Sequence, residues 1–388
     1  MVRFFCVRSR DRRPEARRGR GGVVQIFRRK LCVTDPLSAH QMQQAHLIEP
    51  TADERGVLAS VLALYGIKDW KAMRNTIGYV NKTYIIEKGA EKFVLRQSSP
   101  STDKEHLLLE TEALAYLQRS GYALSPKIIP NAHGDLLTEI YGRFYVLQNF
   151  VPGEIRASWN HLEHFDGTMA DNFFSAAAAF SKAAQDFTPS KPYKNLPLPY
   201  FTKNGGRLLN ELLAGLQESP GKEFIMSRKD ALLQHAHETQ ERFERLGWDK
   251  LPQQLVHFDL HPGNVHYEGD SVVGLFDFDW IRMDSRFADT AGSISQSCWH
   301  VGGSQSGIYI KEKVDRGLSV YRKTYGDTGM SAHEENHYVR TALQAYMFYQ
   351  LLWAGSWYKE QPPTEEGVWV LELNANACLL NDYDSLFS

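Results

Sequence analysis

The stretch "HFDLHPGNVHYEGDSVVGLFDFD", His257 to Asp279, gathers three histidines, four aspartates and an asparagine. Asp259 and Asn264 stand five residues apart, with Pro262-Gly263 tightening the loop between them. Asp277 follows thirteen residues after Asn264, behind the apolar run "VVGLF". Oxygen donors that include one or two carboxylates suit Mg²⁺, with phosphate completing the shell. A carboxylate beside such a centre can accept the proton of a hydroxyl as its oxygen attacks phosphorus. Phosphoryl transfer asks little more of a protein than positioning, a metal and charge neutralisation.

These residues need rigid elements behind them. "EPTADERGVLASVLALYGI" has apolar residues at helical spacing, with Thr51 and Asp53 as capping residues. "KTYIIE" and "KFVLRQ" flank "KGAE" and predict a β-hairpin. "TDKEHLLLETEALAYLQRSG" predicts a helix capped by Thr102 or Asp103 and ended by Gly121. "GDLLTEIYGRFYVLQNFVPG" reads as two more strands and a connector at Pro152-Gly153. Residues from about 70 to 150 thus run strand, strand, helix, strand, strand. Beyond Gly153 the pattern turns mainly helical, as in "MADNFFSAAAAFSKAAQDF" and "VRTALQAYMFYQLLWAGSWY", with "LPLPYF" as a Pro-punctuated loop. The expected fold class is α+β and bilobal. Residues 1–45 form a basic tail or follow a misplaced start, with Met42 the alternative start. Residues 46–150 form a small β-rich lobe, and 151–388 a larger, mainly helical one. A ligand cleft is expected between the lobes.

The spacing His257-x-Asp259-x-x-x-x-Asn264, followed by Asp277-Phe-Asp279, resembles the kinase catalytic loop and its metal-binding aspartate. "HFDLHPGNV", "GLFDFDW" and "RFADTA" together look like the aminoglycoside phosphotransferase and choline kinase superfamily, nearest to bacterial homoserine kinase-like phosphotransferases. The resemblance covers roughly residues 60–360 and implies a protein-kinase-like fold using ATP and Mg²⁺. It makes Asp259 the catalytic base and Asn264 and Asp277 the metal ligands. His257 would brace the loop, and Asp289 would support it. In the small lobe, Arg96 stands where kinases carry a lysine, with Glu110 as its partner and Glu112 solvated. "TIGYVNKTY" would be the phosphate loop, contributing Gly78 and Asn81. Adenine would lie against "LQNFVPG", on the C=O of Asn149 and the N–H of Val151. Asp279 and Asp284 read as solvated loop carboxylates. The chain departs from protein kinases in H-F-D, D-F-D, the arginine at 96 and the lack of A-P-E.

The implied activity is phosphorylation of a small-molecule alcohol, foremost an amino acid or amino alcohol. A sugar, choline-like or aminoglycoside acceptor is the alternative, and a protein substrate a weaker one. On the acceptor side, His261 flanks the catalytic loop. Arg282 and Arg286 are candidate partners for a substrate carboxylate, against a plain surface-exposed reading. Trp353 and Trp357, four residues apart on one helical face, suit an amine or a sugar ring or simply core packing.

Composition bounds the other classes. Residues 1–30 carry ten Arg and one Lys against Asp11 and Glu15, so the remainder of a chain of net charge −2 is acidic. That balance argues against nucleic acid as a partner. Cys6, Cys32, Cys298 and Cys378 form no CxxC and read as free thiols of a reducing compartment, which points to the cytoplasm. No apolar run approaches the ~20 residues of a membrane helix. "HEENH" at 333–337 formally matches H-E-x-x-H, but the polar run around it reads as a solvated helix start. Oligomeric state is not encoded in any of these features.

Overall fold

The computed structural model describes residues 46–76, 81–162, 165–358 and 364–388. The basic segment 1–45, Met42 and the phosphate-loop Gly78 lie outside the described residues.

The small lobe is an antiparallel sheet with two helices. Its strands are β1 (Leu47–Ile48), β2 (Lys71–Asn75), β3 (Lys82–Lys88), β4 (Glu91–Gln97), β5 (Ile128–Ile129), β6 (Thr138–Ile140) and β7 (Arg143–Asn149). They run in the order β1-β2-β3-β4-β7-β5, with β6 pairing β7. Helix α1 (Ala52–Leu64) begins at a capping box, in which Thr51 accepts from Glu54 N–H and Glu54 accepts from Thr51 N–H. Its Leu58, Val61 and Leu62 bury against Tyr84, Ile86, Leu95 and Leu147 of the sheet. Leu95 faces this core, so Arg96 faces the opposite side by the period-two alternation of a strand. Arg96 is paired to Thr83 on one flank and Val146 on the other, which fixes its backbone from both sides. Helix α2 (Lys104–Arg119) is capped by Asp103 and buries Leu107, Glu110, Leu114 and Leu117.

The large lobe is mainly helical: α3 (Gly167–Ala183), α4 (Leu198–Lys203), α5 (Gly205–Gly215), α6 (Pro220–Met226), α7 (Lys229–Leu246), α8 (Phe287–Ser295), α9 (Lys311–Tyr325), α10 (Ala332–Tyr358), α11 (Glu365–Leu379) and α12 (Tyr383–Leu386). The long α10 packs on α8, α7, α4 and α11 and forms the centre of this lobe. Every residue of α8 is buried. Two short antiparallel pairs interrupt the helices. β8 (Gln254–Val256) pairs with β11 (Arg282–Asp284), and β9 (Val265–Glu268) with β10 (Ser271–Leu275). Asp259 therefore leaves β8, Asn264 enters β9 and Asp277 leaves β10, so three short strands, buried at the ends next to these residues, deliver them.

The expected α+β, bilobal class holds. Two local expectations do not. Strands β1 and β2 were not expected, because "KAMRN" is polar and lies toward the sheet edge, where apolar alternation fades. "LPLPYF" is not a loop throughout: its last four residues open α4, with Pro199 in the first turn, where a missing N–H costs nothing.

Candidate active site

The catalytic loop is built around an unusual residue. Phe258 has φ 64°, in the left-handed region that bulky L-residues avoid. Its N–H donates to Asp289 Oδ1 at 2.7 Å, and that of His257 donates to Asp289 Oδ2 at 2.8 Å. Its C=O accepts from the Tyr346 hydroxyl at 2.8 Å. Its ring lies under the Arg282 guanidinium, 3.5 Å from the carbon to the centroid, and against Tyr349. Asp289 is fully buried, and burial pushes its carboxyl up to about 7 against the pull of the Phe258 and His257 N–H groups. Burial drives His257 down to about 4. The ring is therefore neutral, and its Nε2 lies 3.1 Å from the Phe276 carbonyl, which requires the proton on Nε2.

The turn aims Asp259 at Asn264. The Asn264 amide donates to the Asp259 C=O at 2.8 Å and to its Oδ2 at 3.1 Å. Gln296 donates to Oδ1 at 3.3 Å. Both bonds of Asn264 leave through Nδ2, and its Oδ1 accepts none among the described residues.

The cleft beyond is crowded with carboxylates. Asp277, also left-handed at φ 66°, presents its side chain to the open cleft. The protein walls around it push its carboxyl up, and Asp279, Asp259 and Glu110 add to the push while Arg96 offsets it. Arg96 bonds both Glu110 and Asp279. Asn81 bonds the second oxygen of Asp279. His106 Nε2 lies 2.7 Å from the Asp279 backbone carbonyl. Three carboxylates, Asp279, Glu110 and Asp277, thus share one guanidinium. Oxygen donors with surplus negative charge fit a hard divalent cation, which would reverse the upward push on Asp277.

The structure brings together Asp259, Asn264, Asp277, Arg96, Glu110 and Asn81, with His257 and Asp289 behind them. His261 is adjacent: its Nε2 is 3.9 Å from Asp259 Oδ2, and its Nδ1 accepts from Gly263 N–H at 3.0 Å. Asn149 N–H donates to Lys127 C=O at 3.0 Å, while its side chain accepts from Lys127 N–H at 2.6 Å. The Val151 carbonyl accepts from His266 Nδ1 at 3.1 Å. Trp353 stacks on Trp357 and meets the edge of Trp280, just past Asp279.

Several expectations are corrected. Arg282 is buried rather than surface-exposed, and it donates to the carbonyls of Leu196 (2.8 Å) and Trp280 (3.2 Å). Arg286 is held by Glu335, which Arg322 also binds at 2.8 Å. Neither arginine is open to a substrate carboxylate. Asp279 is not solvated but paired with Arg96 and Asn81. Asp284 is fully buried and accepts from Leu198 N–H (2.6 Å) and Trp248 Nε1 (3.0 Å). Glu112 is half-buried and accepts from Ser190 N–H at 2.9 Å. In "HEENH" the His333 and His337 Nε2 atoms lie 3.1 Å apart, and Glu335 points inward. Among the described residues no three His, Cys, Asp or Glu side chains form a metal cluster. His106, Gln296, Tyr346 and Gln350 were missed. The one available signal was a glutamine set in an apolar helical run, as in "SISQSCW" and "AYMFYQLLW".

A groove of about 740 Å³ opens on the far side of α2, between Leu108, Ala115, Leu136 and Tyr193, and none of the Asp259 cluster lines it.

A model of the phosphotransferase enzyme family (APH) matches residues 71–324. The homoserine kinase of Rhodopseudomonas palustris is 27% identical over 253 residues, 64% of this chain and 69% of that protein. That of Rhizobium rhizogenes is 25% identical over 232 residues, 58% of this chain and 64% of its own length. Among solved structures, an amicoumacin kinase in complex with AMP-PNP and Ca²⁺ superposes with a TM-score of 0.65 at 16% identity, covering 89% of this chain and 99% of the other. A microcompartment-associated aminopropanol kinase superposes at 0.61 with 15% identity, covering 84% and 95%. Among the described residues no helix is long and apolar enough to cross a membrane.

Proposed function

Because the chain belongs to the phosphotransferase enzyme family, and is a small-molecule kinase with a hydroxyl acceptor, we propose the following roles for its residues. Asp259 accepts the acceptor hydroxyl proton as the oxygen attacks the γ-phosphorus of ATP. Asn264, through Oδ1, and Asp277 hold Mg²⁺. Bound there, Mg²⁺ would neutralise charge on the phosphates during transfer. Arg96, kept in place by Glu110, and Asn81 orient the phosphates, with Gly78 in the loop above them. The connector at Asn149 and Val151 receives adenine. Residues 46–150 thus form the nucleotide lobe, and 151–388 carry the catalytic loop and the acceptor pocket. His257 and Asp289 hold the loop in shape. The observation that carries this reading is the pair of hydrogen bonds from the Asn264 amide to Asp259, which sets the base beside an amide whose Oδ1 faces no protein donor among the described residues.

The acceptor is a small hydroxylated amine or amino acid. The homoserine kinase relatives support this class. Trp280, Trp353 and Trp357 supply aromatic faces that attract a cationic amine. His261 is placed to touch the acceptor beside Asp259. Arg282 and Arg286 are committed within the protein, so amino alcohols belong in the test beside homoserine. Purified protein with ATP and Mg²⁺ is offered homoserine, serine, threonine, aminopropanol, ethanolamine, choline, N-acetylhexosamines and an aminoglycoside while ADP is followed. Turnover of an amine or amino acid is expected. Turnover confined to sugars or aminoglycosides would refute the acceptor class and leave the phosphoryl-transfer roles standing.

A further inference from the structure

The terminal torsion of an aspartate is broad, so a carboxylate bonded at one oxygen still swings. Asp259 is bonded at both. Asn264 holds Oδ2, as described, and Gln296 holds Oδ1. Gln296 closes α8 as its C-cap and is buried, 7% exposed. Its amide nitrogen bonds Asp259 at 3.3 Å and the Tyr346 hydroxyl at 3.4 Å. That hydroxyl also bonds the Phe258 carbonyl at 2.8 Å and Gln350 Nε2 at 3.0 Å. A phenol has one proton and two acceptor sites on its oxygen, and an amide nitrogen has two protons. One donated bond to Phe258 and two accepted from Gln296 and Gln350 satisfy the phenol completely. The two protons of Gln296 go to Tyr346 and Asp259.

The helices are built to bring these groups together. Gly292 stands one turn before Gln296 on α8, and a Cβ there would lie 3.2 Å from the Tyr346 ring on α10. The side chain that grips the Phe258 carbonyl is therefore linked, through Gln296, to the carboxylate one residue later. Phe258 fixes where the backbone points Asp259, and Gln296 fixes how its carboxylate is rotated.

We infer that Gln296 is a positioning residue, which with Tyr346 locks the Asp259 carboxylate in the rotation that accepts the acceptor proton. This rests on Asp259 being the base. In the step concerned, the proton passes to Asp259, the new O–P bond forms and the bond to the leaving ADP breaks. Gln296 touches none of the reacting atoms.

The test uses the full chain with ATP, Mg²⁺ and the alcohol of the panel that gives the highest kcat/KM. Gln296→Leu is expected to lower kcat by ~10–10²-fold, because misplacing a reacting group by about 1 Å costs up to ~10²-fold. KM for ATP and for the alcohol should stay within about twofold, since an interaction absent from ground-state binding lowers kcat alone. Tyr346→Phe should lower kcat less, and the double variant should be no slower than Gln296→Leu, as expected of one coupled network. Gln296→Glu sets a carboxylate against Asp259, and its activity relative to wild type should rise as pH is lowered, when the introduced carboxyl gains a proton and can donate. Melting temperature and Mg-ATP titration report whether each variant is folded. A wild-type kcat in Gln296→Leu overturns the proposal, as does a loss confined to KM for the alcohol, which would make Gln296 a substrate contact. Should Gln296→Leu not fold, a Gln296→Glu pH profile parallel to wild type overturns it instead. Failure of the base reading shows separately, as undiminished turnover in Asp259→Asn.

Discussion

Phe258 holds a left-handed backbone that costs on the order of 1–3 kcal/mol. Asp289, Tyr346 and Arg282 each grip a different part of it. From sequence Arg282 is a candidate substrate contact or a surface-exposed arginine, and the structure gives it a different task, covering the Phe258 ring and tying β11 to the segment before α4. Arg282→Met should lower the melting temperature by several degrees, through loss of the cation–π contact and two carbonyl bonds, while Mg-ATP binding stays near wild type. Unchanged melting would show that the ring contact contributes nothing. Asp259→Asn keeps the shape of the loop but cannot take a proton, so kcat should fall by ~10²–10⁴-fold with nucleotide affinity retained. Asp277→Ala removes a charged ligand and should abolish the Mg²⁺ dependence of nucleotide binding, as read by titration with and without the metal. Persistent Mg²⁺ dependence would place the metal elsewhere.

Strand β10 leads into Asp277, and it is packed against the connector between the lobes. A Cβ on Gly274 would sit 2.3 Å from Val151 Cγ1, so only glycine lets the connector seat there. Leu275 N–H adds a 2.7 Å bond to the Leu124 carbonyl. Gly274→Ala should raise KM for ATP several-fold and lower the melting temperature, because the clash sits on the proposed adenine strip rather than on Asp259. A rise in acceptor KM alone would contradict this. Elements of this kind were partly legible in the sequence. The β3–β4 hairpin, α2 with its Asp103 cap and the Asp259–Asn264 spacing are local patterns, and local patterns can be read from residues close together in the chain. The grip of Asp289 was reached only through family resemblance. Asp284, Gln296 and Tyr346 act across 30 or more residues of sequence. Nothing near a buried carboxylate distinguishes it from a solvated one until the opposing helix is in place. Polar strand β2 stayed hidden for a similar reason, since its pairing with β3 supplies the order that its own side chains do not.

Buried titratable groups lie in both lobes. Burial lowers the affinity of His106, His235, His257, His261 and His266 for a proton. The unfolded chain binds these protons near pH 6.5 and the folded chain does not, so stability from each histidine is present above that pH and is lost as pH falls toward its folded value, about 4 for His257. Asp284, Asp289 and Glu110 are raised and act in the opposite sense, weakening the fold as pH rises through their folded values. The contribution of one histidine is isolated by difference. His235 lies outside the cleft, 3.0 Å from the Gln344 carbonyl. His235→Gln keeps a donor for that carbonyl and should lose less melting temperature than wild type between pH 7 and pH 5; parallel curves would show that His235 is protonated when folded. The bonds that cross between the lobes have a further consequence. Asp279 belongs to the large lobe, whereas Arg96, Asn81 and His106 belong to the small one, and its carboxylate holds Arg96 and Asn81, the two groups proposed to receive the phosphates. On the proposed roles, the nucleotide phosphates displace this internal carboxylate, and the acceptor meets a finished site only afterwards. The expected steady-state pattern is compulsory, with ATP adding first and a dead-end analogue of the alcohol inhibiting uncompetitively against ATP.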